Sequence, residues 1–229
     1  MDATWCFLLK ILGGGVISNI QNLRLSYLES ETLGELMEVV YRMNRLQGDL
    51  IETGCALGGS SICIASEKLH EKKLYIYDVF GMIPEPGEKD GADVLERYQV
   101  IREGKSQGIG ADVYYGYQEN LLQVVKDNFR KVIGISELEE HNIFLTKGLF
   151  EDTLVCSNPI AFAHIDCDWY NSVKICLERI VPQLVSGGVL IIDDYYHWSG
   201  AREAVDDYFK DKKELFHFDR KRRLHITKK

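Results

Sequence analysis

The chain has 229 residues, of which 45% are hydrophobic and 27% are charged, as expected for one soluble globular domain with a full core. Its formal net charge of −8 argues against a nucleic-acid partner, because binding phosphates requires a basic face. No Cys-x-x-Cys pair occurs, so we expect reduced thiols in a cytoplasmic protein and neither disulfides nor a zinc site. The cysteines are Cys6, Cys55, Cys63, Cys156, Cys167 and Cys176.

The first 47 residues are predicted to form an arm followed by a helix. Trp5 to Leu12 is apolar apart from Lys10, but it is too short to cross a bilayer and lacks the features of a signal peptide. We interpret it as a docking arm or part of a lid, compatible with a homo-oligomer and with no membrane partner. A helix is predicted from Thr32 to Leu46, with Thr32 as N-cap and Glu35 completing a capping box.

A glycine-rich turn between a strand and a helix is the central feature of the sequence. The strand is predicted over Asp49–Thr53 and the helix over Ser60–His70, with Gly54, Gly58 and Gly59 between them. Glycines let the backbone approach a ligand closely, and the first N–H groups of a helix have no internal partner. The spacing matches neither the dinucleotide fingerprint nor a Walker loop. A purely structural turn is the alternative interpretation.

A second strand, predicted over Lys73–Asp78, ends in an acidic residue 26 positions after Glu52. An acidic side chain at this place binds the ribose diol in nucleotide-binding α/β folds, so Asp78 is a candidate for that role. Glycine and proline then break the pattern, apart from a predicted helix over Asp93–Arg102. Residues 84–116 are predicted to be a lid or substrate loop, because long interruptions after a strand often serve this purpose. A tolerated surface insertion is the alternative.

The rest of the chain alternates helices and strands. Helices are predicted at Glu119–Phe129, Ser172–Leu184 and Gly200–Phe209, with helical turns at Phe150–Cys156, and strands at Asn142–Thr146, Ile160–Ile165, Gly188–Ile192, Leu215–Phe218 and Leu224–Thr227. This order predicts an α/β fold with a doubly wound, mostly parallel sheet in a single domain, 1–229, closed by an antiparallel strand pair. The basic run from Arg220 to Arg223 is predicted to be a solvated edge protected by charge.

Four carboxylates follow two of the later strands. Asp166 and Asp168 come after Ile160–Ile165, and Asp193 and Asp194 come after Gly188–Ile192. The carboxyl ends of parallel strands share one edge of the sheet, and converging carboxylates repel one another unless a cation neutralises them. Oxygen ligands favour Mg²⁺, Mn²⁺ or Ca²⁺. Alternatively, Asp168 caps the next helix and Asp193 and Asp194 form a solvated turn.

Together these motifs resemble the macrocin O-methyltransferase family, whose members use S-adenosylmethionine (SAM) and a divalent metal to methylate sugars and phenols. The resemblance runs from about Leu33 to Phe209. The segments that carry it are Glu52-x-Gly54 with Gly58-Gly59-Ser60, Tyr77-Asp78-x-Phe80-x-x-x-Pro84, Gly148-x-Phe150-x-Asp152-Thr153-Leu154, His164-x-Asp166-x-Asp168-x-Tyr170-x-Ser172, and Gly187-Gly188 with Asp193-Asp194-Tyr195.

The resemblance implies a Rossmann-like class I methyltransferase sheet and roles for particular residues. Asp166, Asp193 and Asp194 would hold the metal, and Asp168 would be the general base. The glycine turn would hold the methionine end of SAM, Asp78 the ribose, and residues 148–152 the adenine. The implied cofactor contacts are Glu52, Thr53, Gly54, Gly58, Ser60, Ser61, Asp78, Val79, Gly148, Phe150 and Asp152.

We therefore predict SAM- and Mg²⁺-dependent methylation of a hydroxyl group on a sugar or phenolic small molecule, favouring vicinal diols, in natural-product or polysaccharide biosynthesis. His197 and His164 are rival bases, although the position of His164 inside a strand predicts a core residue. Two other functions remain open. Asp166-x-Asp168 also fits the Asp-x-Asp signature of metal-dependent glycosyltransferases, and a non-catalytic module of the same fold would keep the site without turnover.

Overall fold

The computed structural model of the protein describes residues 15–229. The helices are α1 (residues 15–22), α2 (Ser30–Met43), α3 (Gly59–Glu67), α4 (Ala92–Arg102), α5 (Leu121–Ile133), α6 (Phe150–Thr153), α7 (Tyr170–Ile180) and α8 (Ser199–Phe209). The strands are β1 (Asp49–Thr53), β2 (Leu74–Asp78), β3 (Ile143–Lys147), β4 (Ile160–Ile165), β5 (Leu184–Ile192), β6 (Phe216–Arg220) and β7 (Leu224–Lys228).

The strands form one seven-stranded sheet in the order β3-β2-β1-β4-β5-β7-β6. β1 to β5 are parallel, and β7 runs antiparallel to both β5 and β6. The mostly parallel sheet with an antiparallel final pair confirms the predicted fold class. The strand order reverses between β1 and β4, because β2 and β3 are added on one side of β1 and β4 and β5 on the other. Such a switch point opens a crevice at the carboxyl ends of the strands.

Helices cover both faces of the sheet, and the side chains of each strand divide between the two cores. On β1, Leu50 packs in the core beneath α1, α2, α3 and α5, whereas its neighbour Ile51 packs in the opposite core with α7 and α8. Because β4 and most of β5 are buried on both faces, their residues are mostly apolar with little alternation.

The helix before β1 starts differently from the prediction. α2 begins at Ser30, the N-cap position is held by Glu29, and no side chain caps the helix. Thr32 therefore lies inside the first turn, where its hydroxyl donates to the Glu29 carboxylate at 3.0 Å. The predicted capping box of Thr32 and Glu35 is wrong, because the N-cap position lies three residues nearer the N-terminus, at Glu29.

Other sequence predictions have mixed outcomes. The arm from Trp5 to Leu12 and Cys6 lie outside the described residues. Over residues 15–229, no helix has the length and apolar character needed to cross a membrane. The cysteines in this range are unbridged, and all but Cys156 are buried.

The glycine turn after β1 is in direct contact with the end of β4. Gly54 has φ +83°, and a Cβ added to it would lie 1.7 Å from the carbonyl oxygen of Asp166. Gly59, at the start of α3, is similarly close to the carbonyl oxygen of Leu25, at 2.6 Å. Only residues without a side chain allow these three backbone segments to meet.

We predict that Gly54→Ala destabilises the fold far more than Gly134→Ala. Both glycines have positive φ, but a Cβ on Gly134 meets nothing within 4 Å. Gly134→Ala, the control, should therefore lower the free energy of unfolding by about 1–2 kcal/mol from backbone strain alone. Gly54→Ala adds a backbone collision and should cost more than about 4 kcal/mol. Urea unfolding followed by circular dichroism measures both, and equal losses would contradict the close packing at Gly54.

Candidate active site

Two adjoining cavities lie at the carboxyl ends of the strands. The larger has a volume of about 330 Å³ and the smaller about 110 Å³. Both are lined by residues of the glycine turn, the end of β2 and the end of β4, among them Gly54, Asp78, Asp166, Asp168 and Trp169. The predicted glycine turn and part of the predicted acidic cluster therefore meet where the two cavities join.

Asp78 fixes the geometry of this junction. One carboxylate oxygen accepts a hydrogen bond from the Cys55 N–H at 2.8 Å, and the other accepts one from the Phe80 N–H at 2.6 Å. Burial raises the pKa of Asp78, and these N–H donors partly offset the rise. The side chain thus connects the end of β2 to the glycine turn while it still faces both cavities.

The predicted cofactor residues divide into two groups. Gly54, Ser60, Asp78, Val79 and Phe150 line one or both cavities. The others, Glu52, Thr53, Gly58, Ser61, Gly148 and Asp152, do not line either cavity. Glu52 and Thr53 are completely buried. The Glu52 carboxylate accepts a hydrogen bond from the Ser61 hydroxyl, so these two side chains contact each other behind the glycine turn.

The acidic cluster consists of Asp166, Asp168, Asp193 and Asp194, all of which line the larger cavity. Burial, together with the neighbouring Asp193 charge, raises the pKa of Asp166 well above its usual range. Burial and the charge of Asp168 do the same for Asp194. Burial also raises the pKa of Asp168 to about 6, although the nearby Trp198 side chain opposes the change. Carboxyl groups are therefore crowded together here in a poorly solvated place, which opposes their ionisation.

Asp168 has a left-handed backbone, with φ +59°. Its N–H donates to the Asp194 carboxylate at 3.0 Å, which links the ends of β4 and β5. The N-cap position of α7 is Trp169, and Asp193 and Asp194 are buried. The alternative interpretation, with Asp168 as a helix cap and the Asp pair as a solvated turn, is therefore wrong.

Asp193 differs from its neighbours because it has cationic partners. Its Oδ1 atom lies 2.6 Å from Arg223 Nε and 3.8 Å from His164 Nε2. His164 Nδ1 lies 2.8 Å from the Glu52 carboxylate. Burial alone lowers the pKa of His164, but the carboxylates of Asp193 and Glu52 outweigh it and raise the pKa to about 10. Burial likewise tends to raise the pKa of Asp193, but His164 and Arg223 hold it below its usual value.

These contacts complete an alternating row of charges: Glu52, His164, Asp193, Arg223 and Glu29. Glu29 is the exposed end of the row, 3.5 Å from Arg223 Nη2. His164 is buried, as the sequence predicted, but it contacts two carboxylates and does not pack among apolar side chains only. The prediction that the basic run is a solvated edge is wrong for Arg223, whose side chain is only 9% exposed.

The donor atoms are of the kind that bind a hard divalent cation. His164, Asp166 and Asp193 can each place one ligand atom within 4.8 Å of the others, whereas Asp194 lies outside that group. Within residues 15–229, Asp166, Asp168 and Asp194 have no cationic side chain within 4.0 Å, in contrast to Asp193. A cation would relieve this repulsion, so the acidic cluster fits the implied metal.

The larger cavity is also lined by side chains that the sequence did not single out. Tyr27, Tyr114 and Tyr115 form an aromatic wall, with ring centroids of Tyr114 and Tyr115 4.4 Å apart. Arg97 from α4 lies with its guanidinium carbon 5.7 Å from the Tyr114 ring centre. Three tyrosines within residues 114–117 were the sequence signal that could have indicated this wall.

His197, which the sequence analysis named as a rival base, is exposed and lines the same cavity.

The segment 84–116 is attached to α7 and α8. The Trp169 indole donates to the Pro84 carbonyl at 2.9 Å, and Asp90 accepts the Tyr170 N–H at 2.8 Å. At the start of α4, Asp93 accepts hydrogen bonds from the Ser199 N–H and hydroxyl. These contacts hold Arg97 and the tyrosine wall against the acidic cluster.

Comparison with solved structures identifies the fold as that of class I methyltransferases. The O-methyltransferase NovP has a TM-score of 0.73 to this protein, with 22% sequence identity and 99% of each chain covered. The family model for Macrocin-O-methyltransferase (TylF) matches residues 24–219. The chain therefore belongs to the macrocin O-methyltransferase family, as its motifs predicted.

Two curated relatives are O-methyltransferases from Streptomyces. Demethyldecarbamoylnovobiocin O-methyltransferase of Streptomyces niveus is 27% identical over 186 residues, which is 77% of this chain and 65% of the relative. The 8-demethyl-8-(2,3-dimethoxy-alpha-L-rhamnosyl)-tetracenomycin-C 4'-O-methyltransferase of Streptomyces olivaceus is 32% identical over 167 residues, 70% of this chain and 58% of the relative. The matches thus span less than two thirds of either relative.

We predict that Asp90→Ala loosens the segment 84–116. Asp90 is buried and accepts the N–H groups of both Gly87 and Tyr170, so its loss leaves a buried donor unpaired. The expected cost is about 1–3 kcal/mol of stability, together with faster cleavage inside the segment during limited proteolysis. Glu96→Ala, an exposed change on α4, is the control. Wild-type cleavage rates in Asp90→Ala would show that Asp90 does not hold the segment.

Proposed function

We propose that the protein is an O-methyltransferase that transfers the methyl group of SAM to a hydroxyl of a ring-shaped small molecule, a sugar or a phenol. The observation that carries this proposal is the junction of the two cavities. There the glycine turn, Asp78 and the acidic cluster meet, which is the arrangement needed to bring a cofactor and an acceptor together. Membership of the macrocin O-methyltransferase family supports the same activity.

The smaller cavity suits the adenosine part of the cofactor. It is lined by Val79 after β2 and by Phe150 on α6, with Asp78 at the junction. Each Asp78 oxygen accepts one backbone N–H and retains a lone pair, which leaves it able to accept a ribose hydroxyl. The methionine part would lie along Gly54 and Ser60. The bound cofactor supplies a methyl group that is already electrophilic.

The chain's own contribution to the reaction is alignment and proton removal. Asp168 lies where the two cavities join and is the proposed acceptor of the hydroxyl proton. The left-handed backbone and the N–H bond to Asp194 fix its position. Holding the reacting groups in line can supply roughly 7–11 kcal/mol of the barrier reduction.

A divalent cation, with Mg²⁺ as the first candidate and Mn²⁺ or Ca²⁺ as alternatives, belongs to this proposal. Asp166, Asp193 and Asp194 would hold it, and His164 lies beside Asp166 and Asp193 as the cationic partner of Asp193. When bound, it would supply positive charge beside the acceptor hydroxyl. Support comes from Asp166, Asp168 and Asp194, which have no cationic side chain within 4.0 Å in the part of the chain that the structure describes.

The larger cavity suits a ring with hydroxyl groups. The tyrosine wall offers flat apolar faces, while Arg97 and the acidic cluster offer polar contacts. The two curated relatives are named for a novobiocin precursor and a rhamnosyl tetracenomycin, which supports natural-product acceptors. We extend the proposal to residues 84–116 as the lid that encloses this acceptor. The glycosyltransferase interpretation is not favoured, because the chain belongs to a methyltransferase family.

Calorimetric titration with S-adenosylhomocysteine, with and without Mg²⁺, tests the cofactor site. We expect saturable binding by the wild type and at least tenfold weaker binding by Asp78→Ala, because the turn loses the acceptor that holds the Cys55 N–H. Asp127→Ala on the outer side of α5 is the control and should bind like the wild type. Absence of binding by the folded wild type would refute the proposed function.

Comparison of Asp168→Asn with His197→Asn identifies the base. Methyl transfer from labelled SAM is measured with catechol and with methyl α-L-rhamnoside as acceptors. We expect Asp168→Asn to lower kcat by roughly 10²–10⁴, since asparagine keeps the shape but cannot take the proton, and His197→Asn to keep most activity. Both variants should bind S-adenosylhomocysteine normally. The opposite ranking of the two variants would assign the base to His197.

A further inference from the structure

Arg223 enters the larger cavity from a part of the chain that the family match does not include. It lies in the turn between β6 and β7, beyond the matched residues 24–219. Its neighbour Arg222 points outwards, with a half-exposed side chain 3.6 Å from Glu35. Arg223 itself lines the cavity, and its side chain is only 9% exposed. Two adjacent arginines of one turn thus have opposite environments.

The contacts of Arg223 are directed at the acidic cluster. Its Nε donates to Asp193 Oδ1 at 2.6 Å, and its Nη2 lies 3.5 Å from the Glu29 carboxylate. A guanidinium stays protonated at any working pH, so this positive charge is permanent. Asp193 Oδ1 also faces His164, which leaves Oδ2 as the less engaged oxygen.

This geometry has a consequence for any cation that binds the cluster. A divalent ion beside Asp193 shares that carboxylate with a guanidinium and is repelled by it at short range. At separations of about 4 Å, Coulomb interactions near a protein surface are strong enough to change affinities by well over tenfold. Asp193 is therefore a ligand whose charge is already largely compensated, whereas Asp166 and Asp194 have no cationic side chain within 4.0 Å in residues 15–229.

We propose that Arg223 is a positioning residue that sets the divalent-cation affinity of the acidic cluster: it fixes one oxygen of Asp193, neutralises its charge and keeps cation binding weak. This inference rests on the proposed metal site. It predicts a site whose cation is readily exchanged and is held chiefly by Asp166, which belongs to the same candidate group of ligand atoms as Asp193. A purely structural ion pair would instead change the stability of the protein and leave cation affinity unaltered.

The test is Mn²⁺ binding to the full chain, measured by the loss of the free Mn²⁺ signal in electron paramagnetic resonance without SAM or acceptor. We compare wild type, Arg223→Met, Arg223→Lys and the matched control Arg222→Met. Arg223→Met should bind Mn²⁺ at least tenfold more tightly. Arg223→Lys should stay within about threefold of the wild type, and Arg222→Met should be unchanged. Circular dichroism checks folding, and Arg223→Gln replaces the Met variant if that variant is unfolded.

Each alternative result has a definite meaning. Unchanged or weaker Mn²⁺ binding by Arg223→Met overturns the proposal, and so does equal tightening in Arg222→Met, since that would reflect overall charge. Absence of Mn²⁺ binding in every variant overturns it as well. S-adenosylhomocysteine titration of the same samples keeps the two proposals separate. Absence of S-adenosylhomocysteine binding by the wild type refutes the methyltransferase function. Saturable S-adenosylhomocysteine binding together with unchanged Mn²⁺ affinity in Arg223→Met refutes only the role of Arg223.

Discussion

The alternating row of charges from Glu52 to Glu29 is the interaction on which the candidate active site depends. It joins the end of β1, the interior of β4, the end of β5 and the turn between β6 and β7. Removing charges from water is costly, and alternation offsets that cost because each internal member contacts an opposite charge on either side. Loss of an internal member would leave buried charges beside it with less compensation. The row therefore fixes how the three central strands and the final hairpin present their ends to the cavities.

The same row divides the acidic cluster into two kinds of carboxylate. Asp193 is compensated by His164 and Arg223, and its pKa is held low. Asp166 and Asp194 lack such partners within residues 15–229, and burial raises their pKa values. Backbone conformations that favour glycine accumulate in the same region: Ala56, Phe80 and Asp168 all have positive φ. Strain and uncompensated charge together are typical of sites whose geometry is set by function and not by stability.

The sequence predicted those features of the fold and the site that depend on residues close together in the chain, and it missed contacts between distant residues. Apart from α1, which was not predicted, the strands and helices were placed to within a few residues, since apolar periodicity records burial directly; β4 was predicted at its observed bounds. The glycine turn and the acidic cluster were also found, because glycine and paired carboxylates at strand ends have few structural uses. Arg223 was misread, since a run of four basic residues usually marks a solvated edge. Its partners Asp193 and Glu29 are far away in sequence. Likewise, nothing local to Glu52 indicates that its carboxylate contacts His164 and Ser61 behind the turn.

The two cavities differ in which parts of the chain form their walls, and this difference bears on the specificity for the proposed acceptor. The smaller cavity is built mainly from strand ends and the turns that follow them, which the fold itself positions. The larger cavity takes its outer walls from three separate segments: residues 25–29 before α2, residues 83–115 around α4, and the region of His197, Trp198 and Arg223. These segments are attached to the domain through individual hydrogen bonds such as those of Asp90 and Trp169. Substitutions in them can reshape the acceptor side without disturbing the sheet. Under the proposed function, one cofactor-binding framework would serve different acceptors, and the residues that the fold constrains least would determine which acceptor binds.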